Sequence, residues 1–146
     1  MTAIDKTVES QTESISLEFD FPHAPRKVWR ALTDPELLAE WLMPVLSLEL
    51  KPGAAFTFMA QPQPGWDGIV NCQLREIEAH SKLSYTWASG GIDTVVAFTL
   101  TPTESGTRLG IVQSGFKPDQ GRNFGGARYG WKTMGGKLGD LLGRIA

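Results

Sequence analysis

The segment from residue 45 to residue 116 consists of short stretches in which apolar and polar residues alternate, and each stretch ends in a turn. Alternation with a period of two is typical of half-buried strands. The turns include Lys51-Pro52-Gly53 and Glu104-Ser105-Gly106, whose residues favour tight reversals. Six strands are predicted here, at residues 45–50, 54–61, 69–77, 82–87, 94–102 and 107–116. Because short loops join consecutive strands, the pattern predicts an antiparallel sheet.

One more strand and two short helices are predicted before this segment. Residues 14–21 alternate between polar and apolar side chains and favour a half-buried strand. Pro25 suits the first turn of a helix, where its missing N–H does no harm. A second helix follows at once, and either Asp34 caps it or Thr33 and Glu36 form a capping box.

A long amphipathic helix is predicted from about Phe124 to the end of the chain, because apolar residues recur there at helical spacing. The fold class is therefore α+β, with about seven strands and the helices segregated to one side of the sheet. We expect the long helix to lie on the concave face of a curved sheet. The sheet then either closes tightly on the helix or leaves a hollow beside it.

The first thirteen residues are polar and acidic, without the apolar core of a signal peptide. Residues 1–13 are predicted to be a flexible tail, since they offer little apolar surface to offset the cost of ordering. Residues 14–146 are predicted to form one domain.

Composition argues against several classes of protein, namely nucleic-acid-binding, disulfide-bonded, metal-binding and membrane-inserted proteins. The formal net charge is −2 and the sequence pI about 5.7, which argues against a nucleic-acid partner. The single cysteine, Cys72, excludes an intramolecular disulfide, and no cysteine–histidine cluster indicates a metal site. No apolar run is long enough for membrane insertion, so we expect a cytoplasmic protein.

Residues 23–44, HAPRKVWRALTDPELLAEWLMP, carry a distinctive motif. It consists of Ala24, Pro25, Val28, Trp29, Ala31, Leu32, Thr33, Asp34, Pro35, Leu38 and Trp41. The motif resembles the opening signature of the START-like (SRPBCC) superfamily, and more narrowly its bacterial branch named after the activator of the 90-kDa heat-shock protein's ATPase. The closing Gly130-Trp131 is similar to that branch's final helix, so the likeness extends over residues 14–146.

The resemblance implies the helix-grip fold, in which a curved antiparallel sheet surrounds a C-terminal helix. It does not imply one function, because the superfamily includes lipid and sterol carriers, hormone receptors, polyketide cyclases and a co-chaperone domain. Function has to be argued from the site.

The last helix contains Gly130, Gly135, Gly136, Gly139 and Gly143, although each glycine costs a helix about 1 kcal/mol relative to alanine. At 100° per residue the last four lie beside the apolar stripe and not within it. One interpretation is that the missing side chains leave volume for a ligand or make the helix mobile. The other is that they allow close packing against the sheet.

Candidate cavity residues are large aromatic and apolar side chains, with one glutamine on an otherwise apolar strand face. They are Trp41, Phe58, Trp66, Trp87, Gln113, Trp131, Met134, Gly135 and Leu138. The aromatic residues can equally form the core, but Trp66 lies in a predicted turn and is a candidate for the mouth of a cavity. Four basic residues surround the start of the last helix and can attract an anion, or else belong to a solvated rim: Lys117, Arg122, Arg128 and Lys132. Arg128 and Lys132 are the candidates for binding the anion.

Catalytic residues are not predicted. Neither His23 nor His80 has a partner at an interpretable spacing, and Cys72 on an apolar strand face is a core residue by pattern. No cofactor or metal is expected.

The leading hypothesis is a non-enzymatic protein that binds a small, largely apolar molecule between the sheet and the C-terminal helix. Two alternatives remain open. One is a co-chaperone-like module whose partner is a chaperone or another protein. The other is a polyketide-cyclase-like enzyme, which requires a group with a strongly shifted pKa in the cavity.

Overall fold

One curved antiparallel sheet and one long helix dominate the structure, a computed structural model that describes residues 3–7 and 14–146. The strands are β1 (Ile4–Asp5), β2 (Ser14–Phe21), β3 (Val45–Leu46), β4 (Ala55–Met59), β5 (Ile69–Glu78), β6 (Lys82–Ser89), β7 (Ile92–Pro102) and β8 (Thr107–Ser114). The helices are α1 (Pro25–Thr33), α2 (Pro35–Trp41) and α3 (Gly121–Arg144). The predicted α+β helix-grip fold is confirmed.

All strands belong to one sheet in the order β1-β2-β8-β7-β6-β5-β4-β3. Every neighbouring pair is antiparallel, and β2 lies between β1 and β8, at the opposite end of the sheet from β3. Within the described residues the sheet has eight strands, one more than the seven predicted, because β1 adds to β2.

The short strand β1 differs from the prediction of a flexible N-terminal tail. Ile4 and Asp5 pair with Glu18 and Leu17 of β2, and Thr7 exchanges hydrogen bonds with the backbone of Ser16. Residues 1–2 and 8–13 of the predicted tail lie outside the described residues.

The strand predicted over residues 45–50 is shorter in the structure. Ser47 has a φ of 64°, a left-handed conformation that a strand does not accommodate. β3 therefore ends at Leu46 after pairing with only two residues of β4.

Asp34 is the residue that caps α2. Its side chain accepts a hydrogen bond from the backbone N–H of Glu36 at 2.9 Å. The hydroxyl of Thr33 instead donates to the carbonyl of Trp29 at 2.9 Å, so the alternative capping box does not form.

α3 begins at Gly121, three residues before the predicted start near Phe124. Gln120 ties this end of the helix to the loop before it and to the β6–β7 turn. Its side-chain oxygen accepts from the N–H of Lys117, and its side-chain nitrogen donates to the carbonyl of Gly91. These bonds hold the first turns of α3 beside that end of the sheet.

The interior is filled at one end of the sheet and open at the other. The second half of α3 buries Leu138, Leu141 and Leu142 in the same core as α1 and α2. A chain of aromatic contacts runs from Phe56 and Tyr85, whose ring centroids are 5.0 Å apart, towards Trp87. The first half of α3 buries fewer side chains, and a cavity lies beside it.

Candidate functional site

A cavity of about 480 Å³ lies between the first half of α3 and the end of the sheet where β6 turns into β7. Its walls are mainly apolar. Besides α3, the sheet and its connections contribute Met43, Gly65, Trp66, Val70, Trp87, Ser89, Gly90, Ile92 and Gln113. The volume falls within the range of about 300–1,000 Å³ that is typical of small-molecule sites.

One face of α3 forms a wall of this cavity. The helix contributes Arg122, Asn123, Gly126, Ala127, Gly130, Trp131 and Met134, which recur at intervals of three and four residues. A Cβ atom added at Gly126 or Gly130 would meet no heavy atom within 4 Å. These two glycines therefore contribute open volume where other residues would place a side chain.

Gly135, in contrast to Gly126 and Gly130, lies where there is no room for a side chain. A Cβ atom at this position would collide with the ring of Phe19, which is completely buried on β2. Gly135 thus allows α3 to approach the sheet closely. Close packing therefore explains Gly135, whereas Gly130 borders open volume, and that this volume takes a ligand stays a prediction.

Three tryptophans surround the cavity. The ring centroids of Trp87 and Trp131 are 5.4 Å apart and the rings are tilted by 57°. Trp66 comes from the loop between β4 and β5, where it pairs with Gln63. Its indole N–H donates to the hydroxyl of Ser89 at 2.7 Å, and that hydroxyl donates to the carbonyl of Ile69. These bonds fix Trp66 in its place in the cavity wall.

A buried series of hydrogen bonds holds Trp131 in place. The indole N–H of Trp131 donates to the side-chain oxygen of Gln113 at 2.8 Å, and the side-chain nitrogen of Gln113 donates to Thr94. The Thr94 hydroxyl donates in turn to the carbonyl of Trp87. Gln113 and Thr94 are each only 2% exposed. These hydrogen bonds therefore give partners to polar groups that would otherwise be costly to bury.

The groups with shifted pKa values lie away from the cavity wall. Burial raises the pKa of the Cys72 thiol to about 12, and burial together with Cys72 raises the pKa of Tyr85. A thiol with so high a pKa is a poor nucleophile. Among the described residues that line the cavity, Arg122 is the charged side chain, and none is an acid, a histidine or a cysteine.

Five of the nine predicted cavity residues line the cavity: Trp66, Trp87, Gln113, Trp131 and Met134. Their part in binding a ligand stays a prediction. The other four lie elsewhere in the structure.

Trp41 is buried on α2, where its indole N–H donates to the carbonyl of Ala31 at 2.9 Å. Phe58 packs against Phe56 and borders a void of about 10 Å³, which is too small for a ligand. Gly135 contacts Phe19, and Leu138 is completely buried in the core. Their placement could not be predicted because apolar patterning does not distinguish a core wall from a cavity wall.

Arg128 and Lys132 have an internal carboxylate partner. The Nε atom of Arg128 and the Nζ atom of Lys132 lie 2.7 Å and 2.9 Å from the same oxygen of Asp5. They therefore connect α3 to β1, and their predicted role in binding a ligand's anion stays a prediction.

Eleven lining residues were not among the predicted cavity residues: Met43, Gly65, Val70, Ser89, Gly90, Ile92, Arg122, Asn123, Gly126, Ala127 and Gly130. Placing the helix start at Phe124 left only Arg122 and Asn123 of the α3 lining residues outside the predicted helix. Gly126, Gly130 and Met134 lay inside it, where they share a face four residues apart. That spacing was present in the sequence and would have indicated the glycine-lined wall.

Comparison with protein families gives one match over most of the chain. The model described as "Activator of Hsp90 ATPase homolog 1-like protein" matches residues 22–143. The chain belongs to this family. The family resemblance noted in the sequence is thereby confirmed, and the fold is that of the START-like superfamily, which is a ligand-binding fold. Comparison with curated proteins gives no match for this member of the family.

Solved structures share the fold. Protein MLL2253 from Mesorhizobium loti is 40% identical, with a TM-score of 0.85, and the match covers 91% of this chain and 98% of that one. Protein CV1439 from Chromobacterium violaceum is 26% identical, with a TM-score of 0.75, over 91% and 99% of the two chains. CalU16 from Micromonospora echinospora, 19% identical with a TM-score of 0.75 over 97% and 84%, shows the same fold.

Two kinds of feature are missing from the part of the chain that the structure describes. No helix there is both long and apolar enough to cross a membrane. Residues 3–7 and 14–146 also contain no group of three or more histidine, cysteine or acidic side chains placed to hold a metal ion.

Proposed function

We propose that this protein binds a small, largely apolar molecule in the cavity between α3 and the β6–β7 end of the sheet. The observation that carries the proposal is the cavity itself, a hollow of about 480 Å³ in a chain whose other half is closely packed. Apolar walls that face open volume are costly to leave uncovered, since filling the space would bury more apolar surface. A ligand that fills the cavity makes contact with these apolar walls.

The walls are suited to shape-based binding. Trp66 and Trp131 are fixed by hydrogen bonds, so they present rigid aromatic surfaces before a ligand arrives. Preorganised walls reduce the entropy lost on binding. Membership of a START-like family supports the proposal, because that fold binds ligands.

Indole N–H signals in two-dimensional NMR test the proposal directly. Naphthalene methanol, a neutral aromatic probe, is titrated into the ¹⁵N-labelled protein. We expect saturable shifts of the Trp66, Trp87 and Trp131 signals, while Trp41, which bonds to Ala31 in the core, serves as the internal control. Shifts spread equally over all tryptophans, or no saturable shift, would contradict the proposal.

A protein-interaction role is the second candidate, favoured by exposed apolar side chains at the β3 edge of the sheet. Leu46 and Met59 are 52% and 45% exposed, and Leu50 nearby is 44% exposed. Exposed apolar residues grouped at an edge can mark a docking surface. Capture of a bacterial 90-kDa heat-shock protein by the wild type, weakened in Leu46→Ser, would support this role, and equal capture by both would oppose it.

A further inference from the structure

The polar groups inside the cavity are mostly engaged with one another. Gln113 accepts from Trp131 and donates to Thr94, while Ser89 accepts from Trp66 and donates to Ile69. A ligand gains little by competing for these groups, because each bond it breaks must be replaced. The inner part of the cavity therefore favours an apolar ligand body.

Two donors remain available at the wall. Within the described residues the indole N–H of Trp87 has no hydrogen-bond acceptor. Its nitrogen is not fully buried, so the N–H is accessible. Arg122 has no carboxylate partner among the same residues, and its side chain is exposed. Both groups donate hydrogen bonds and cannot accept them.

None of the described residues that line the cavity is aspartate or glutamate. Three aspartates, Asp67, Asp93 and Asp119, lie one to three positions from lining residues, and Asp67 already accepts from the backbone N–H of Ile69. Asn123 adds an amide, which can donate as well as accept, beside Arg122.

The arrangement along α3 sets a direction for the ligand. Arg122 and Trp131 both line the cavity and are nine positions apart, or roughly 13 Å along the helix axis. The space between them is bordered by Gly126 and Gly130, which carry no side chains. A flat molecule can therefore lie along the helix, with one end among the tryptophans and the other near Arg122.

We infer that the ligand of this cavity is an aromatic acid, whose rings lie against Trp66, Trp87 and Trp131 and whose carboxylate meets Arg122. This inference rests on the proposed function and adds the ligand's chemical class to it. Aromatic rings match the tryptophan walls, and a carboxylate matches the planar guanidinium donor.

A matched pair of probes tests the inference. Naphthylacetate and naphthylacetamide have nearly the same shape and differ in charge at neutral pH. Each is titrated into the wild type, Arg122→Gln and Lys137→Gln, and affinity is measured from the indole signals of the cavity tryptophans. Lys137→Gln removes the same charge from an exposed position of α3 outside the cavity wall.

The wild type is expected to bind the acid about threefold to fivefold more tightly than the amide, since exposed ion pairs contribute little. Arg122→Gln should abolish this preference by weakening binding of the acid more than binding of the amide, and Lys137→Gln should behave as the wild type. Equal binding of both probes by the wild type, or a preference that persists in Arg122→Gln, would contradict the inference that the ligand is an aromatic acid. The proposal that the cavity is a binding site would still stand. If neither probe shifts the cavity signals, the proposed function fails together with this inference.

Discussion

Gly135 and Gly136 are neighbours on α3 with opposite surroundings. A side chain at Gly135 would enter the space of the buried Phe19 ring, whereas one at Gly136 would meet nothing within 4 Å. Gly135→Ala should therefore lower the free energy of unfolding by about 1–3 kcal/mol through overpacking. Gly136→Ala should raise it by about 0.5–1 kcal/mol through helix propensity.

Urea denaturation of the two variants measures both effects with the same substitution on the same helix. A stabilised Gly135→Ala would show that α3 does not depend on close approach to β2 at this point.

Gln113 is the residue that joins Trp131 to the sheet. In Gln113→Leu the indole N–H of Trp131 loses its acceptor in a buried environment, while the hydroxyl of Thr94 loses a donor but keeps its bond to the carbonyl of Trp87. The expected cost is about 1–3 kcal/mol in the free energy of unfolding, with a large shift of the Trp131 indole signal.

Gln73→Leu is the control, because Gln73 is exposed and, within the described part of the chain, its side chain bonds only to the backbone carbonyl of Gly53. It should change stability by less than about 0.5 kcal/mol. Similar losses in the two variants would mean that the buried series of hydrogen bonds has no special role.

At the scale of elements, β1 is attached to α3 through Asp5. Partial burial would raise the pKa of Asp5, but hydrogen bonds from Arg128, Lys132 and Thr7 outweigh it and hold the pKa well below its ordinary value. A carboxylate with a depressed pKa stabilises the fold above the ordinary carboxyl pKa of about 4, and this contribution is lost as the pH falls further.

Asp5→Asn should accordingly reduce the free energy of unfolding by about 1–2 kcal/mol at neutral pH. The difference from the wild type should shrink as the pH falls below about 4. Denaturation curves at several pH values measure it, with Asp140→Asn, an exposed change on the same helix, as the control. A difference that is absent at neutral pH, or that grows in acid, would contradict the attachment of β1 to α3.

Patterns confined to one element were readable in the sequence, and those that depend on distant partners were not. The alternation in residues 14–21 predicted β2 because its inward face is buried throughout. β1 was missed because it has two residues and is held by Asp5, whose cationic partners Arg128 and Lys132 lie more than 120 positions away. The early start of α3 was missed for a similar reason, since Gln120 ties the helix to Gly91 in a distant turn.

At the scale of the molecule, the sequence predicted that a helix on a curved sheet could leave a hollow, but not where. The filled end is closed by α1, α2 and the leucines of α3, while the open end has Gly126 and Gly130 in the same helix. Which glycine meets a ring and which meets open space depends on the crossing of α3 over the sheet. Sequence spacing alone does not give that crossing.

The central claim is that the hollow beside Gly126 is the binding site. Gly126→Leu places a side chain into the cavity, and Gly125→Leu places the same side chain at the neighbouring exposed position, where it also meets nothing within 4 Å. Both variants gain helix propensity, so both should fold.

The deciding measurement is the affinity of each variant for naphthalene methanol, followed by the indole signals of the cavity tryptophans. The account predicts a loss of at least about tenfold in Gly126→Leu and wild-type affinity in Gly125→Leu. Unchanged affinity in a folded Gly126→Leu, or an equal loss in both variants, would contradict it.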